Sequence, residues 1–181
     1  QAGRAPRSIR SLVLLGGAVA LCFAVLVGLG VWQFDRLGWK LGLIAAVNAR
    51  VHAAAEPFPL PASWPALTGD SDEYRRVTGT GYFLNDDESL VEAVTGKGAG
   101  YWVITPFRTD QGFIVMVNRG FVPGDRRDPA SRAAGNPAGE TTVAGLLRMS
   151  EPGGGFLRSN DPAHQRWYSR DVAAIAASHG L

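Results

Sequence analysis

The residue types that most often carry acid–base or metal chemistry are few and widely separated in this sequence. Its three histidines are His52, His164 and His179, and none forms the close pair on which zinc enzymes rely. The single cysteine, Cys22, lies inside a long apolar run, so neither an intramolecular disulfide nor a cysteine-based metal site is expected. No G-x-S-x-G sequence marks an activated serine. These features predict a protein that is not an enzyme and has no metal site.

Two further segments could in principle bind ions or phosphate. Gly153-Gly154-Gly155 is not followed by Lys-Ser or Lys-Thr, so it is more typical of a flexible turn than of a phosphate-binding loop. Asp86-Asp87-Glu88 lacks the spacing of a calcium loop and predicts a solvated turn.

A dense group of aromatic and basic residues indicates binding rather than catalysis. At helical spacing Trp32, Arg36 and Trp39 fall on nearby faces. One interpretation is interfacial anchoring, with indoles at the lipid headgroups and basic side chains reaching water. The other is docking of a second membrane protein, or pairing of arginine with the propionates of a porphyrin. The members of this group are Trp32, Gln33, Arg36, Trp39 and Lys40.

A second polar group, Asn118-Arg119-Gly120, ends a strand-like segment. Its composition predicts a β-bulge or a turn, because glycine tolerates the backbone angles that both require. Arg119 would then either pair with a carboxylate inside the domain or be available to a partner. Asn118 and Arg119 therefore join the residues of the first group as docking candidates.

The first group lies beside a segment that is long and apolar enough to cross a bilayer. Residues 12–34 contain no charged side chain, and about 20 apolar residues in a helix match a hydrocarbon core of about 30 Å. Because Arg4, Arg7 and Arg10 precede it, residues 1–11 are expected in the cytoplasm or matrix, with the main domain outside. A cleaved signal peptide is the alternative, but its apolar region is usually about 7–15 residues. We therefore expect an uncleaved anchor in the lipid bilayer.

Length and composition predict one domain attached to this helix. The chain has 181 residues, of which 46% are apolar and 19% charged. Its formal net charge of +2 gives no support to nucleic-acid binding. A helical stripe of apolar residues continues over 35–56, and prolines over 57–73 predict an extended linker. Residues 74–181 then form the β-rich domain.

Strand periodicity predicts that this domain is an antiparallel sheet. Residues 109–112 predict a β-hairpin, and Pro106 predicts a bend, an end or an edge in its first strand. Ser169 is expected to cap a short helix over 170–178. The fold class is therefore α+β, with a transmembrane helix, a barrel- or sandwich-like antiparallel domain and a short C-terminal helix. The predicted strands are 74–84, 88–95, 100–108, 113–122 and 140–149.

Several motifs, in order over about residues 28–181, resemble those of the surfeit-locus family of cytochrome c oxidase assembly factors. The first, Gly30-Val-Trp-Gln-Phe-Asp-Arg-Leu-Gly-Trp-Lys40, is similar to the membrane-exit signature of that family. The resemblance adds Asn160, Trp167 and Asp171 to the docking candidates. The later motifs lie at residues 74–77, 100–107, 117–123, 155–156, 160–162 and 167–171.

The resemblance implies an integral protein of the inner (cytoplasmic) membrane with a periplasmic main domain, or of the mitochondrial inner membrane in a eukaryote. Its implied role is assembly of haem-copper cytochrome c oxidase, by assisting haem a insertion or stabilising the catalytic subunit. The implied partners are that subunit, other assembly factors and, transiently, haem a. A stoichiometric accessory subunit of a respiratory oxidase is the alternative.

The resemblance also implies a second transmembrane helix, expected beyond Leu181. The histidine that the family is thought to use for haem contact lies in that helix. No haem-ligand role is therefore transferred to His52, His164 or His179.

Overall fold

The computed structural model describes residues 8–181, which fall into two compact units divided between Ala49 and Arg50. Most of the expected basic tail, including Arg4 and Arg7, lies outside the described residues. A single 44-residue helix, α1 (Ile9–His52), covers both the predicted membrane segment and its continuation. At 1.5 Å per residue it is about 66 Å long, twice the thickness of a hydrocarbon core. By length and apolar composition it is a candidate membrane span.

The second unit contains six strands, of which five match the predicted segments to within about four residues at each end. The sixth, β1, was not predicted because two residues carry no periodic signal. The predicted linker contains a short helix, α2 (Gly69–Asp72), and the C-terminal helix is α3 (Val172–Ser178). The strands are β1 (Glu56–Pro57), β2 (Arg76–Phe83), β3 (Ser89–Thr95), β4 (Gly98–Thr109), β5 (Ile114–Pro123) and β6 (Thr141–Leu146).

All six strands belong to one sheet, which is antiparallel except for the parallel pair β1–β2. β4 pairs with β5 along one edge, and with β3 and then β2 along the other. β2 pairs with β6 up to Gly81 and with β4 from Gly81 onward. The two strands approach so closely there that a Cβ atom at Gly81 would overlap the carbonyl oxygen of Arg108. Within residues 8–181 no ladder closes this sheet into a barrel, and no second sheet completes a sandwich. The predicted, mainly antiparallel sheet domain is therefore confirmed, whereas its barrel- or sandwich-like form stays a prediction.

The predicted hairpin is confirmed, since Thr109 donates its N–H to the carbonyl of Phe113 (2.9 Å). Pro106 lies in the interior of β4, so the strand does not end there, and of the three predicted alternatives the edge is the one that the pairing supports. β3 pairs with β4 only as far as Ile104, and β2 pairs from Phe107 onward. Pro106 thus sits where one neighbour replaces the other, and the ladder loses little by its missing N–H.

The two faces of β4 pack against different apolar groups, because side chains alternate along a strand. On one face Ile104 joins Val91, Trp167 and Ile175 in a buried cluster that brings α3 onto the sheet. On the other face the fully buried Phe107 ring meets Phe83 edge-on, with ring centroids 4.9 Å apart, and Phe58 at 6.3 Å. Edge-to-face geometry is favoured between aromatic rings.

The C-terminal helix begins at Val172, and Asp171 rather than Ser169 is its N-cap. The Asp171 carboxylate accepts a hydrogen bond from the N–H of Ala174 (3.1 Å). Capping by Asp satisfies an N–H group that has no partner within the helix. The Ser169 hydroxyl instead accepts a bond from the N–H of Gly154 (3.0 Å), which leaves the capping position to Asp171.

Replacing Phe107 with Ala should lower the free energy of unfolding by about 3–5 kcal/mol, because it empties a fully buried aromatic site between two other rings. Tyr82→Ala, at a half-exposed position of β2, is the matched control and should cost less than about 1 kcal/mol. Denaturant unfolding of the full chain in detergent micelles, followed by tryptophan fluorescence, measures both. Equal losses in the two variants would contradict this account of the core.

Asp72 links α2 to the segment that leads into β2. Its carboxylate accepts bonds from the Ser71 hydroxyl, the N–H of Thr68 (3.0 Å) and Arg75 (2.5 Å), and these lower the pKa of Asp72 to about 2. The stabilisation is complete above the unfolded value of about 3.9 and is lost as the pH falls towards 2. Asp72→Asn should therefore reduce the acid-induced fall in thermal midpoint. Asp70→Asn, in the same short helix, is the control, and parallel curves for Asp72→Asn and the original chain would contradict the assignment.

Candidate functional site

The aromatic and basic group on α1 is exposed within the first unit. Trp32 and Trp39 are both more than half exposed, and the guanidinium carbon of Arg36 lies 5.4 Å from the centre of the Trp32 ring. This cation–π contact confirms that residues 32 and 36 share a helical face. Gln33 and Lys40 are exposed on the same stretch of helix. The group can contact lipid headgroups or a membrane protein, as both interpretations of the sequence require.

Arg119 has an internal structural role in the second unit. One of its terminal nitrogens donates to the amide oxygens of Asn85 (3.1 Å) and Asn136 (2.9 Å), and the other donates to the carbonyl of Gly135. Its guanidinium also lies 4.7 Å from the centre of the Phe83 ring, and burial lowers its pKa. The partners are amides and a carbonyl rather than the carboxylate considered from the sequence. Most of its donors are therefore already in use.

The predicted bulge at Asn118-Arg119-Gly120 is confirmed. Trp102 pairs with Phe121 and Ile104 with Asn118, so β5 has one residue more than β4 across this interval. Gly120 has φ of +114°, and its N–H donates to the side-chain oxygen of Asn118 (2.9 Å). The extra residue redirects Arg119 towards the 135–137 loop.

Glu88 differs from the solvated residue expected in its acidic turn. Its carboxylate forms a bidentate ion pair with Arg132, and only 8% of the Glu88 side chain is exposed. The bonds that Arg132 donates to the Glu88 carboxylate raise the pKa of Arg132. Arg132 lies in a 3₁₀ segment and Asn136 is its C-cap. The Glu88–Arg132 ion pair and the bond from Arg119 to Asn136 therefore both hold this segment against the sheet.

Asn160 and Asp171 hold a loop together rather than facing solvent as free polar groups. The Asn160 amide oxygen accepts the N–H groups of Tyr168 (2.8 Å) and Ser169 (3.2 Å), and its nitrogen donates to the Ser169 hydroxyl (3.0 Å). Asp171 accepts the N–H of Gly153 (3.3 Å) in addition to capping α3. Both residues therefore position the segment between 153 and 171.

Trp167 is a core residue. Its side chain is only 1% exposed and packs against Val91, Ile104 and Ile175. The indole N–H donates to the side-chain oxygen of Gln165 (3.3 Å). Burial removes Trp167 from the surface that a partner could reach, so the docking role considered for it is corrected to a packing role.

The structure brings together three residues that sequence reasoning had not associated. The Ser89 hydroxyl lies 2.9 Å from Nε2 of His179, and Nδ1 of His179 lies 3.7 Å from the Asp87 carboxylate. The order Ser–His–Asp is that of hydrolases, but the outer contact exceeds hydrogen-bond length and Ser89 is only 2% exposed. The group instead joins the end of α3 to the start of β3. Ser89 and His179 are 90 positions apart, and no local signal could have paired them.

His164 and His179 contact protein partners. Both ring nitrogens of His179 face such partners, and Nδ1 of His164 lies 2.8 Å from Asp161 in an exposed loop. Residues 8–181 contain no group of three His, Cys, Asp or Glu side chains able to hold a metal ion.

The described residues thus form a long apolar helix, which carries exposed aromatic and basic side chains, followed by a mainly antiparallel sheet domain with a short C-terminal helix. Residues 20–181 match the model of the SURF1 family, and the chain belongs to that family. It is 37% identical over 173 residues to Surfeit locus protein 1 of Rattus norvegicus, covering 87% of this chain and 55% of the rat protein.

Two further relatives give the same result. Surfeit locus protein 1 of Homo sapiens is 37% identical over 172 residues, which cover 84% of this chain and 55% of the human protein. The SURF1-like protein of Monosiga brevicollis is 40% identical over 166 residues, covering 85% of this chain and 62% of that protein. The chain thus spans about half the length of the mammalian relatives that it matches.

Arg119→Lys should lower the free energy of unfolding by about 1–3 kcal/mol. Lysine keeps the charge but cannot reach Asn85, Asn136 and Gly135 at once, so partly buried acceptors lose their donors. Arg108→Lys, at an exposed position of β4, is the control and should change stability by no more than about 0.5 kcal/mol. Denaturant unfolding compares the two, and equal stabilities would assign Arg119 to a partner instead.

Proposed function

We propose that this protein is an assembly factor for haem-copper cytochrome c oxidase, which stabilises the catalytic subunit while haem a is inserted. The observation that carries the proposal is the family match over residues 20–181, which includes most of α1 and all of the second unit. Oxidase assembly is the role generally known for this family. The proposed partners are the catalytic subunit and other assembly factors.

In this proposal residues 12–34 of α1 cross the inner membrane, with the N-terminus in the cytoplasm or matrix and the second unit on the opposite side. The uncharged run and the basic residues before it support both the insertion and the orientation. The apolar side chains of α1 are exposed along the helix, which suits a lipid or helical neighbour. A backbone whose hydrogen bonds are satisfied within the helix is compatible with hydrocarbon.

The protein would act by differential binding and not by bond chemistry of its own. A factor that binds an assembly intermediate more tightly than the finished complex stabilises the intermediate and is then released. On α1, Trp32, Arg36 and Trp39 offer apolar surface and one charge to a membrane partner. In this proposal haem a is the cargo that is delivered to the catalytic subunit, and any contact of this protein with it is transient.

Cells in which this chain is the sole family member should lose haem a absorbance and oxidase activity when the gene is deleted. The intact gene should restore both, as measured by reduced-minus-oxidised spectra of membranes. A normal spectrum and normal activity in the deletion strain would contradict the proposal. Recovery of the protein in stoichiometric amounts with mature oxidase would instead support an accessory subunit.

Two variants separate docking from catalysis in the same strain. Trp32→Leu combined with Arg36→Leu should remain in the membrane fraction but restore less haem a signal, because the change removes the exposed cation–π pair. Ser89→Ala should restore the full signal if Ser89 is no nucleophile. Loss of function in Ser89→Ala at unchanged protein abundance would point to an enzyme.

A further inference from the structure

A tight turn in the second unit presents two large apolar side chains to solvent. Gly155 and Arg158 form an antiparallel bridge, and the N–H of Arg158 donates to the carbonyl of Gly155 (3.2 Å). Between them Phe156 is 93% exposed and Leu157 is 89% exposed. We call residues 155–158 the apolar turn. Such exposure of two adjacent large side chains typically marks an interaction site.

The apolar turn is held in an unfavourable backbone conformation. Leu157 has φ of +59°, a region that side-chain-bearing residues rarely adopt. Gly153 and Gly154 donate their N–H groups to Asp171 and Ser169, and Asn160 in turn donates to Ser169. A strained residue persists only where its surroundings impose the conformation, and such residues concentrate at binding sites. We therefore infer that the motif residues around 160–171 position the apolar turn.

A cleft of about 400 Å³ lies beside the apolar turn. Its walls include Phe156, Tyr168 and Arg158 on one side, with Val94 and Tyr101 of the β3–β4 hairpin on the other. Val94 is 86% exposed, so it extends the apolar surface across the cleft. The cleft is thus an open apolar groove between the turn and the outer edge of β3.

The edge of β3 in this cleft has backbone groups without a strand partner. Glu92 donates its N–H outward to the carbonyl of Trp167 (2.8 Å), away from β4. Backbone groups two residues apart in a strand point the same way, so the N–H and C=O of Val94 also face outward. Within residues 8–181 the Val91–Trp167 bridge is the last pairing on this edge. An open edge of this kind can accept another extended chain.

The positive charge near the cleft comes from residues at its margin. Arg158 and Glu92, the charged residues among those that line the cleft, form an ion pair (3.0 Å) and offset each other. At the margin Arg127 lies over the ring of Tyr101, and Lys97 is exposed in the turn between β3 and β4. These two cations are complementary to an acidic side chain of a ligand.

We propose that this cleft binds an extended apolar segment of a partner protein that carries an acidic side chain. The segment adds beside β3 and pairs with the outward N–H and C=O of Val94, while its apolar side chains contact Phe156, Leu157 and Val94. A lipid surface would match the apolar residues and the positive charge but would leave the Val94 backbone groups unpaired in an apolar medium. The inference concerns the chemistry of the segment and holds whichever protein supplies it.

The direct test uses the full chain in detergent micelles and the capped peptide Gly-Val-Asp-Val-Glu-Val-Gly as the probe. Fluorescence polarisation of the labelled peptide measures affinity, and hydrogen exchange measures protection of the Val94 amide. The acidic peptide should bind about tenfold more tightly than its Lys-for-Asp and Lys-for-Glu counterpart, and should slow exchange at Val94. No difference between the peptides, or unchanged exchange at Val94, would overturn the proposal.

Leu157→Gly separates this binding role from a structural one. Glycine adopts positive φ without strain, so the variant should fold at least as stably as the original chain. The Leu157 side chain, which is exposed in the apolar turn beside the cleft, would be covered by the bound peptide, so its removal should nevertheless weaken peptide binding about tenfold. Phe156→Ser should weaken binding to a similar extent, whereas Leu60→Ser, at an exposed site that does not line the cleft, should not.

Two further results would reject the proposal. One is that Leu157→Gly and Phe156→Ser both bind the acidic peptide as tightly as the original chain does. The other is protection of residues 155–158 by vesicles containing anionic lipid, with no response to the acidic peptide, which would assign the turn to the bilayer.

Discussion

Twelve residues of β4 provide backbone partners for three other strands, and the arrangement of the second unit depends on that sharing. One edge serves β5 without a change of neighbour, whereas the other serves β3 and then β2. The change of neighbour falls at Pro106, where an absent N–H costs the ladder least. The aromatic cluster around Phe107 and the apolar cluster around Trp167 both depend on β4, because they pack against its two opposite faces.

The polar residues of the domain mostly support its loops. Arg119 holds the segment at 135–137 through amides and a carbonyl, and Asn160 holds the segment at 153–169 through backbone N–H groups. In each case one side chain satisfies several backbone or amide groups that no strand can reach. A motif that looks like a binding site in sequence can therefore be the support of a site, as Asn160 and Asp171 are for the apolar turn.

Local periodicity predicted the strands, the hairpin at 109–112 and the long helix, because each of these depends on neighbours in sequence. The features that periodicity did not predict depend on contacts between residues far apart in the sequence. Ser89 meets His179, Glu88 meets Arg132, and β1 pairs with β2 across residues that have no strand pattern. The exposed group on α1 followed from helical spacing alone, whereas the burial of Trp167 required the sheet and α3 to be placed together.

The apolar cluster that joins β3 and β4 to α3 is built from segments far apart in the sequence, and this distance has a consequence for folding. Val91 and Ile104 emerge first during synthesis, and Trp167 and Ile175, which bury them, come some 60 or more positions later. Contacts so distant along the chain form late, since the loop between them must close first. Until then the apolar face of β3 and β4 stays open to water, as in the exposed intermediates that chaperones recognise. While it is being synthesised, the chain therefore exposes this apolar face until Trp167 and Ile175 have emerged, and it is open to non-native association during that interval.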